Sequence, residues 1–264
     1  MKIIYTYRAF LFFLNSVIVG STLFIQMGCM DENDKKESSS IDSSGKNYNQ
    51  LLVDDEWVAP DTSTIPKDEK GNLIRYGREL IVNTSNYFGP NGKINHYSNK
   101  LNCQNCHLDA GTKLYANSFS AVYSIYPKVR PRSGTLENLE RRINDCFERS
   151  LNGKKLDSLS KEMRAMVAYI NWVGKDVKKG TTPKGASVIT LNFLNRPANP
   201  EKGRIAFEKN CITCHGSDGQ GKFDSTGTIH YPPLWGNDSY NVSAGLYRIS
   251  RLAGFIKSNM PYLT

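Results

Sequence analysis

Two five-residue stretches constrain this chain more than anything else in it: Cys103-Gln104-Asn105-Cys106-His107 and Cys211-Ile212-Thr213-Cys214-His215. Each reads C-x-x-C-H, the spacing that attaches a c-type haem. The two thiols add across the haem vinyl groups, and the next residue, a histidine, turns its imidazole onto the iron. One short turn thus fixes both the macrocycle and its proximal ligand. The rival is a zinc site, because Cys-x-x-Cys opens many zinc folds. That reading lacks further Cys or His pairs at finger spacing and leaves the identical placement of two histidines to chance. The motifs predict two covalently attached haem c groups, held at Cys103, Cys106, Cys211 and Cys214, with His107 and His215 as iron ligands.

A chain of 264 residues has room for two ordinary domains. Its hydrophobic content of 39% is modest for two cores, which suits domains whose buried haem supplies apolar volume. The formal net charge is +9. No compact Lys/Arg block with interleaved aromatics is present, so the charge points to small anions and not to nucleic acid. Of six cysteines, four belong to the haem motifs, leaving Cys29 and Cys146. Thioether attachment takes place outside the bacterial cytoplasm, so the motifs imply export to the periplasm. Residues 1–28 read as the export signal, with Lys2 and Arg8 ahead of the apolar runs 10–20 and 23–25. Gly28-Cys29 resembles a lipoprotein cleavage point, although Gln26 stands where a Leu-like residue is usual. Cys29 would then carry a lipid, the chain's one tie to the membrane; an ordinary cleaved signal or an uncleaved anchor is the alternative. Residues 29–66 form a tether and arm. The stretch 31–50 is too polar to order itself, and Trp57 is expected to pack on the first haem domain.

The rest reads as mainly α, with two tandem class I cytochrome c-like domains over 67–177 and 198–264, joined by a linker over 178–197. Leu73, Ile74, Tyr76, Leu80 and Ile81 form a helical stripe, with Gly77 where another helix can approach closely. A loop over 83–99 carries His96, read as a surface histidine. A second helix is expected over 136–152, capped by Thr135 and stopped by Gly153. A third is expected over 160–173, where Met163 and Met166 share a stripe with Val167, Ile170 and Val173 and so read as core, not iron ligands. Gly203-Arg204-Ile205-Ala206-Phe207 repeats the pattern of Gly77-Arg78-Glu79-Leu80-Ile81, which marks a duplication. Only the first half has a helix after its distal residues. The second is expected to lack its closing helix, as in a truncated reading frame or fragment.

Each iron needs a sixth ligand. A methionine thioether favours ferrous iron and raises the potential, whereas an anionic thiolate favours ferric iron and lowers it. For the second haem Met260, in Asn259-Met260-Pro261, is the candidate, with His230 and Lys257 as rivals. For the first haem the candidate is Cys146, a leftover thiol in an exported protein. The competing readings are an inert buried thiol or a disulfide to Cys29. On a helix, Arg142, Cys146 and Ser150 fall at i, i+4 and i+8, flanked by Leu139, Ile143 and Phe147, so the stripe faces inward. An inward arginine beside a thiol favours the thiolate and attracts anions.

The runs Arg130-Pro131-Arg132 and Arg141-Arg142-Ile143-Asn144-Asp145-Cys146-Phe147-Glu148-Arg149-Ser150-Leu151-Asn152-Gly153 resemble the diheme thiosulfate dehydrogenases. Pro232-Pro233-Leu234-Trp235-Gly236 and Phe255-Ile256-Lys257-Ser258-Asn259-Met260-Pro261 are similar to the second haem domain of that family. The resemblance runs from about Arg75 to the end, and the Cys146 segment is its specific part. It implies oxidation of two thiosulfates to tetrathionate, or the reverse, with Cys146 as distal ligand of the first haem and carrier of the reaction. Arg132 and Arg142 would clamp the dianion, Ser150 would add a hydrogen bond, and electrons would pass outward through the second haem to a soluble or membrane cytochrome. In the family picture Cys146 leaves the iron and forms a sulfur–sulfur adduct with one thiosulfate, which a second thiosulfate attacks. Asn259 stands where some relatives carry an iron-binding lysine, which leaves Met260 as the nearby ligand.

A diheme electron carrier is the competing class; it requires His/Met ligation at both irons and gives Cys146 no role. A Sox-type diheme cytochrome, which joins thiosulfate to a carrier protein, would need a stable partner subunit. Loss of a helix on 203–209 would expose apolar surface worth several kcal/mol at ~25 cal/mol per Å². The chain is therefore expected to load its second haem poorly, and pyridine haemochrome with intact mass should count fewer than two haems per chain.

Overall fold

One helical face, carried by Ile74, Gly77, Leu80 and Ile81, organises the first half of the molecule. In the computed structural model, which describes residues 51–262, these side chains are buried on α1 (Glu69–Val82). Asp68 caps the helix by accepting from the Gly71 amide at 2.8 Å. α1 crosses α6 (Lys161–Val173) at Gly77, where a Cβ would overlap the Ala165 carbonyl and the Tyr169 side chain. Met163 and Met166 lie fully buried on α6 within the same core. Ser160 caps α6 from the Met163 amide at 3.2 Å.

Around this crossing runs one apolar cluster from Ile65 to Val173, to which Trp57 is packed. The loop after α1 is less irregular than its composition implies. It contains α2 (Thr84–Phe88), which drives Phe88 into the core edge-on to Phe147 at 5.3 Å between ring centroids. Short turns α3 (Leu108–Gly111) and α4 (Val122–Ile125) come next. A hairpin then pairs β2 (Lys128–Arg130) antiparallel with β3 (Thr135–Glu137).

That hairpin corrects the expected start of the second helix. Thr135 to Glu137 are taken up by strand pairing, so α5 runs over Leu139–Arg149 and its cap is Asn138, accepting from the Arg141 amide at 2.9 Å. Gly153 does not end the helix either. It lies three residues beyond the C-cap Ser150, and there it permits close approach to the Tyr97 backbone.

The first part of the segment read as a linker is structured: β4 (Thr181–Lys184) pairs in parallel with β1 (Leu51–Glu56), and Val188 is buried. Beyond it α7 (Pro200–Asn210) leads through α8 (Ile212–His215) to an antiparallel pair, β5 (Lys222–Phe223) and β6 (Ile229–Tyr231). The last element is α9 (Ile249–Asn259). The described residues all fall in one compact unit. The signal segment, Cys29 and the polar stretch 31–50 lie outside them.

α1 and α7 share a sequence pattern but not an environment. α7 has no buried residue, Ile205 is 57% exposed, and a Cβ on Gly203 would meet nothing within 4 Å. Gly77→Ala should therefore cost about 1–3 kcal/mol by overpacking, whereas Gly203→Ala should be stabilising by about 0.5–1 kcal/mol. Denaturant unfolding of the two variants checks this, and equal effects would contradict the asymmetry.

Candidate functional site

The turn at Cys103 is stitched to the first two helices. Thr84 Oγ1 donates to the Leu80 carbonyl at 2.8 Å and accepts from the Cys103 amide at 2.9 Å. Asn102 accepts from the Ser85 amide at 2.8 Å, and its own amide donates to Asn105 Oδ1 at 2.7 Å. His107 Nδ1 lies 2.6 Å from the Asn117 carbonyl. A carbonyl only accepts, so Nδ1 carries the proton and Nε2 is left as a lone pair. Four non-glycine residues between 109 and 117 take left-handed backbone, among them Tyr115 and Asn117. Strain of this kind costs stability and persists where the surroundings hold it; here it aims the Asn117 carbonyl at His107. The second motif has the same arrangement, with His215 Nδ1 donating to the Pro232 carbonyl at 2.8 Å.

Above the first motif is a cavity of about 300 Å³. Ile81, Leu101, Phe119, Val122, Leu139 and Ile143 give it apolar walls, and Cys103, Cys106, His107 and Cys146 line it together. Burial pushes the Cys103 and Cys106 thiols up to about 12, so as free thiols they would sit there neutral. An apolar slot with two thiols at one edge, an imidazole lone pair and a fourth soft donor fits a covalent haem. Among the described residues no group of three or more His, Cys, Asp or Glu is gathered closely enough to hold a metal ion by itself.

α5 carries the distinctive chemistry. Its stripe brings Arg142, Cys146 and Ser150 to the cavity wall, as their spacing predicts. Arg142 Nη1 donates to Cys146 Sγ at 3.2 Å. Burial alone would raise the Cys146 thiol, but the Arg142 guanidinium and the His107 imidazole outweigh it and bring the thiol down to about 7. The same pair raises Arg142 above its usual range, through the Cys146 charge first. Cys146 is thus a thiol poised to ionise, in direct contact with the Arg142 guanidinium.

A second cavity, of about 570 Å³, shares Lys128, Arg142 and Ser150 with the first. Its walls are strongly basic. Arg130 and Arg132 come from the β2–β3 hairpin, Arg149 from the end of α5, and Arg248 and Arg251 from the start of α9. Arg132 reaches this cavity rather than the thiol, donating to the Ser243 carbonyl at 2.9 Å. Sequence reasoning named Arg132, Arg142 and Ser150 and missed Lys128, Arg130, Arg149, Arg248 and Arg251. Arg149 lies seven residues after Arg142 on α5 and was within reach of the helical period, whereas the hairpin brings in Lys128 and Arg130 and only the docking of the second half on α5 brings in Arg248 and Arg251. Asn241 makes that dock, its side chain donating to the Glu148 carbonyl at 2.8 Å and its amide to the Arg149 carbonyl at 3.0 Å.

The remaining candidates sit elsewhere. Met260 packs with Leu108, Ala116, Val188 and Phe255, beside the segment just after His107. His96 is exposed, its Nδ1 3.4 Å from the Gly89 carbonyl. His230 is exposed beside Tyr231. Around the second motif, Cys211, Cys214 and His215 are only half-buried.

Residues 94–178 match the family model described as SoxA/TsdA, cytochrome c domain. The thiosulfate dehydrogenase of Psychrobacter arcticus is 39% identical over 203 residues, covering 77% of this chain and 60% of its own length. That of Allochromatium vinosum is 36% identical over 208 residues, covering 77% of this chain and 75% of its own. Among solved structures, thiosulfate dehydrogenase (TsdBA) from Marichromatium purpuratum in its "as isolated" form superposes with a TM-score of 0.73 at 28% identity. That match covers 79% of this chain but 46% of the solved one. The chain therefore spans less than two thirds of the Psychrobacter protein and about half of the solved chain. With its Cys146 stripe, its cytochrome c domain and relatives matched over most of their length, the chain belongs to the thiosulfate dehydrogenase family.

Proposed function

We propose that this chain is a periplasmic diheme cytochrome c that joins two thiosulfates into tetrathionate, or runs the reverse. The observation that carries the reading is the 3.2 Å contact of Arg142 with the Cys146 sulfur at the junction of an apolar and a basic cavity. An electron carrier has no use for an ionisable thiol at the head of an anion-attracting pocket.

In this reading the chain forms two tandem class I cytochrome c-like domains, 67–177 and 198–264. Cys103, Cys106 and His107 would hold one haem, with Cys146 as a further iron donor, and Cys211, Cys214 and His215 would hold the other with Met260. Bound haem supplies one-electron acceptors, one per group, for the two electrons the reaction releases. The export signal and Cys29 make the chain a lipoprotein, and a soluble or membrane cytochrome takes the electrons onward.

The residues divide the work. Arg142 keeps the Cys146 sulfur anionic and, with Ser150, holds the oxygens of one thiosulfate against it. The Cys146 thiolate and the sulfane sulfur of that thiosulfate form an S–S bond with loss of two electrons. A second thiosulfate attacks the sulfane sulfur of this adduct, releasing tetrathionate and restoring the thiolate. Arg132, on the rim of the basic cavity, offsets repulsion between the two dianions.

The test is thiosulfate-dependent reduction of an artificial acceptor with tetrathionate measured as product. Wild type should form tetrathionate and Cys146→Ala should form none; turnover in the variant would remove the cysteine from the reaction. In the haem-free chain, where no iron competes for the sulfur, Arg142→Gln should raise the Cys146 pKa from about 7 toward its ordinary value. The thiolate fraction at pH 7 then drops, and iodoacetamide labelling of Cys146 at that pH slows by about tenfold. Labelling measured across pH by peptide mass checks the shift, and an unchanged midpoint would contradict the role of Arg142.

A further inference from the structure

We propose that the basic cavity is a second dianion site, in which Arg248 and Arg251 hold one thiosulfate while another is bound at Cys146. This rests on the thiosulfate reading and assigns residues of the second half to substrate binding.

The charges in this cavity are not balanced by the protein. Arg149 is paired with Asp145 at 3.0 Å and Arg130 with Glu137 at 3.6 Å. Arg142 is engaged by the Cys146 sulfur. That leaves Lys128, Arg132, Arg248 and Arg251 without a carboxylate partner among the described residues. Arg132 reaches the Ser243 carbonyl, and Arg251 reaches only Ser187 Oγ, at 3.4 Å. Burial and the Arg130 and Arg142 charges push the Lys128 ammonium below its usual range. A concave wall that crowds cations to this degree favours an anion within it.

The start of α9 points the same way. α1, α5, α6 and α7 each begin with an Asp, Asn or Ser that caps a backbone amide, and each has a glutamate in its first turn. α9 has neither. Its N-cap position is Arg248, no side chain caps it, and Arg251 stands in its first turn. Cations at the positive end of a helix dipole are unfavourable unless something negative sits among them. Here the helix end, Arg248 and Arg251 all belong to the wall of one cavity.

The chemistry supplies the need. Joining two thiosulfates brings two dianions to adjacent positions, and one cation set cannot neutralise both. Arg142 and Ser150 serve the dianion at Cys146. The cavity continues past them to Arg248 and Arg251, with about 570 Å³ of room for the second. The two cavities share Lys128, Arg142 and Ser150, so the two anions meet on one continuous surface.

Calorimetric titration of thiosulfate into the haem-loaded Cys146→Ala protein isolates binding from turnover. Two thiosulfates should bind per chain. Adding Arg248→Gln and Arg251→Gln should weaken one of them by about tenfold or more, since charge-assisted hydrogen bonds are lost. Both arginines are exposed, so the fold should survive, and the haem spectrum checks that it does. In the otherwise wild-type holoprotein the same pair should raise KM for thiosulfate while labelling of Cys146 stays as before. A single thiosulfate per chain, or two with affinities unmoved by the substitutions, would overturn the proposal whatever the turnover. Two sites that respond as expected in a protein that forms no tetrathionate would leave the dianion site standing and sink the enzymatic reading.

Discussion

Close backbone approach at Gly77 is the contact on which the first half depends. It lets α1 lie on α6 at a distance no side chain would allow, and the apolar cluster of Ile74, Leu80, Met163, Met166 and Tyr169 closes around it. α1 in turn carries Thr84 on its C-terminal flank, and the Thr84 hydroxyl holds the Cys103 amide. The motif turn is thereby fixed to the core rather than left on a free loop. The cavity above it inherits its shape from the same packing, because Ile81 and Ile170 belong to both.

Electrostatics rather than packing distinguishes the site. An apolar slot disfavours a thiolate, yet Arg142 one turn before Cys146 reverses that preference at a contact of 3.2 Å. The same guanidinium stands at the mouth of the basic cavity. One side chain thus tunes the sulfur and marks where anions arrive. Asp145 and Glu137 hold back Arg149 and Arg130, so the field is concentrated on the rim rather than spread over it.

Much of this was legible in the chain before folding. C-x-x-C-H is local chemistry, readable because all its groups lie within one turn. The Arg142, Cys146, Ser150 stripe was readable because helical period fixes which residues share a face. The errors are local too: Thr135 looked like a cap because strand pairing with Arg130 cannot be seen from either residue alone. The hairpin takes up Thr135 to Glu137, and the cap falls to Asn138. The stretch 181–188 read as linker from its Gly, Thr and Pro content, but its partner strand, 51–56, is far away in sequence.

The sequence by itself determined the two motif turns, the helical core around Gly77, and the pairing of a thiol with an arginine, since each depends on residues within a few turns of one another. The tertiary structure alone decided that Arg132, Arg248 and Arg251 share a cavity with Arg142. It alone gave α1 a packed face and left α7 exposed, although both carry the same pattern. The reason is physical: periodicity specifies which side chains lie on one face of an element, whereas the hydrogen bonds of Asn241 and Arg132 that bring two distant elements together are long-range and leave no period behind.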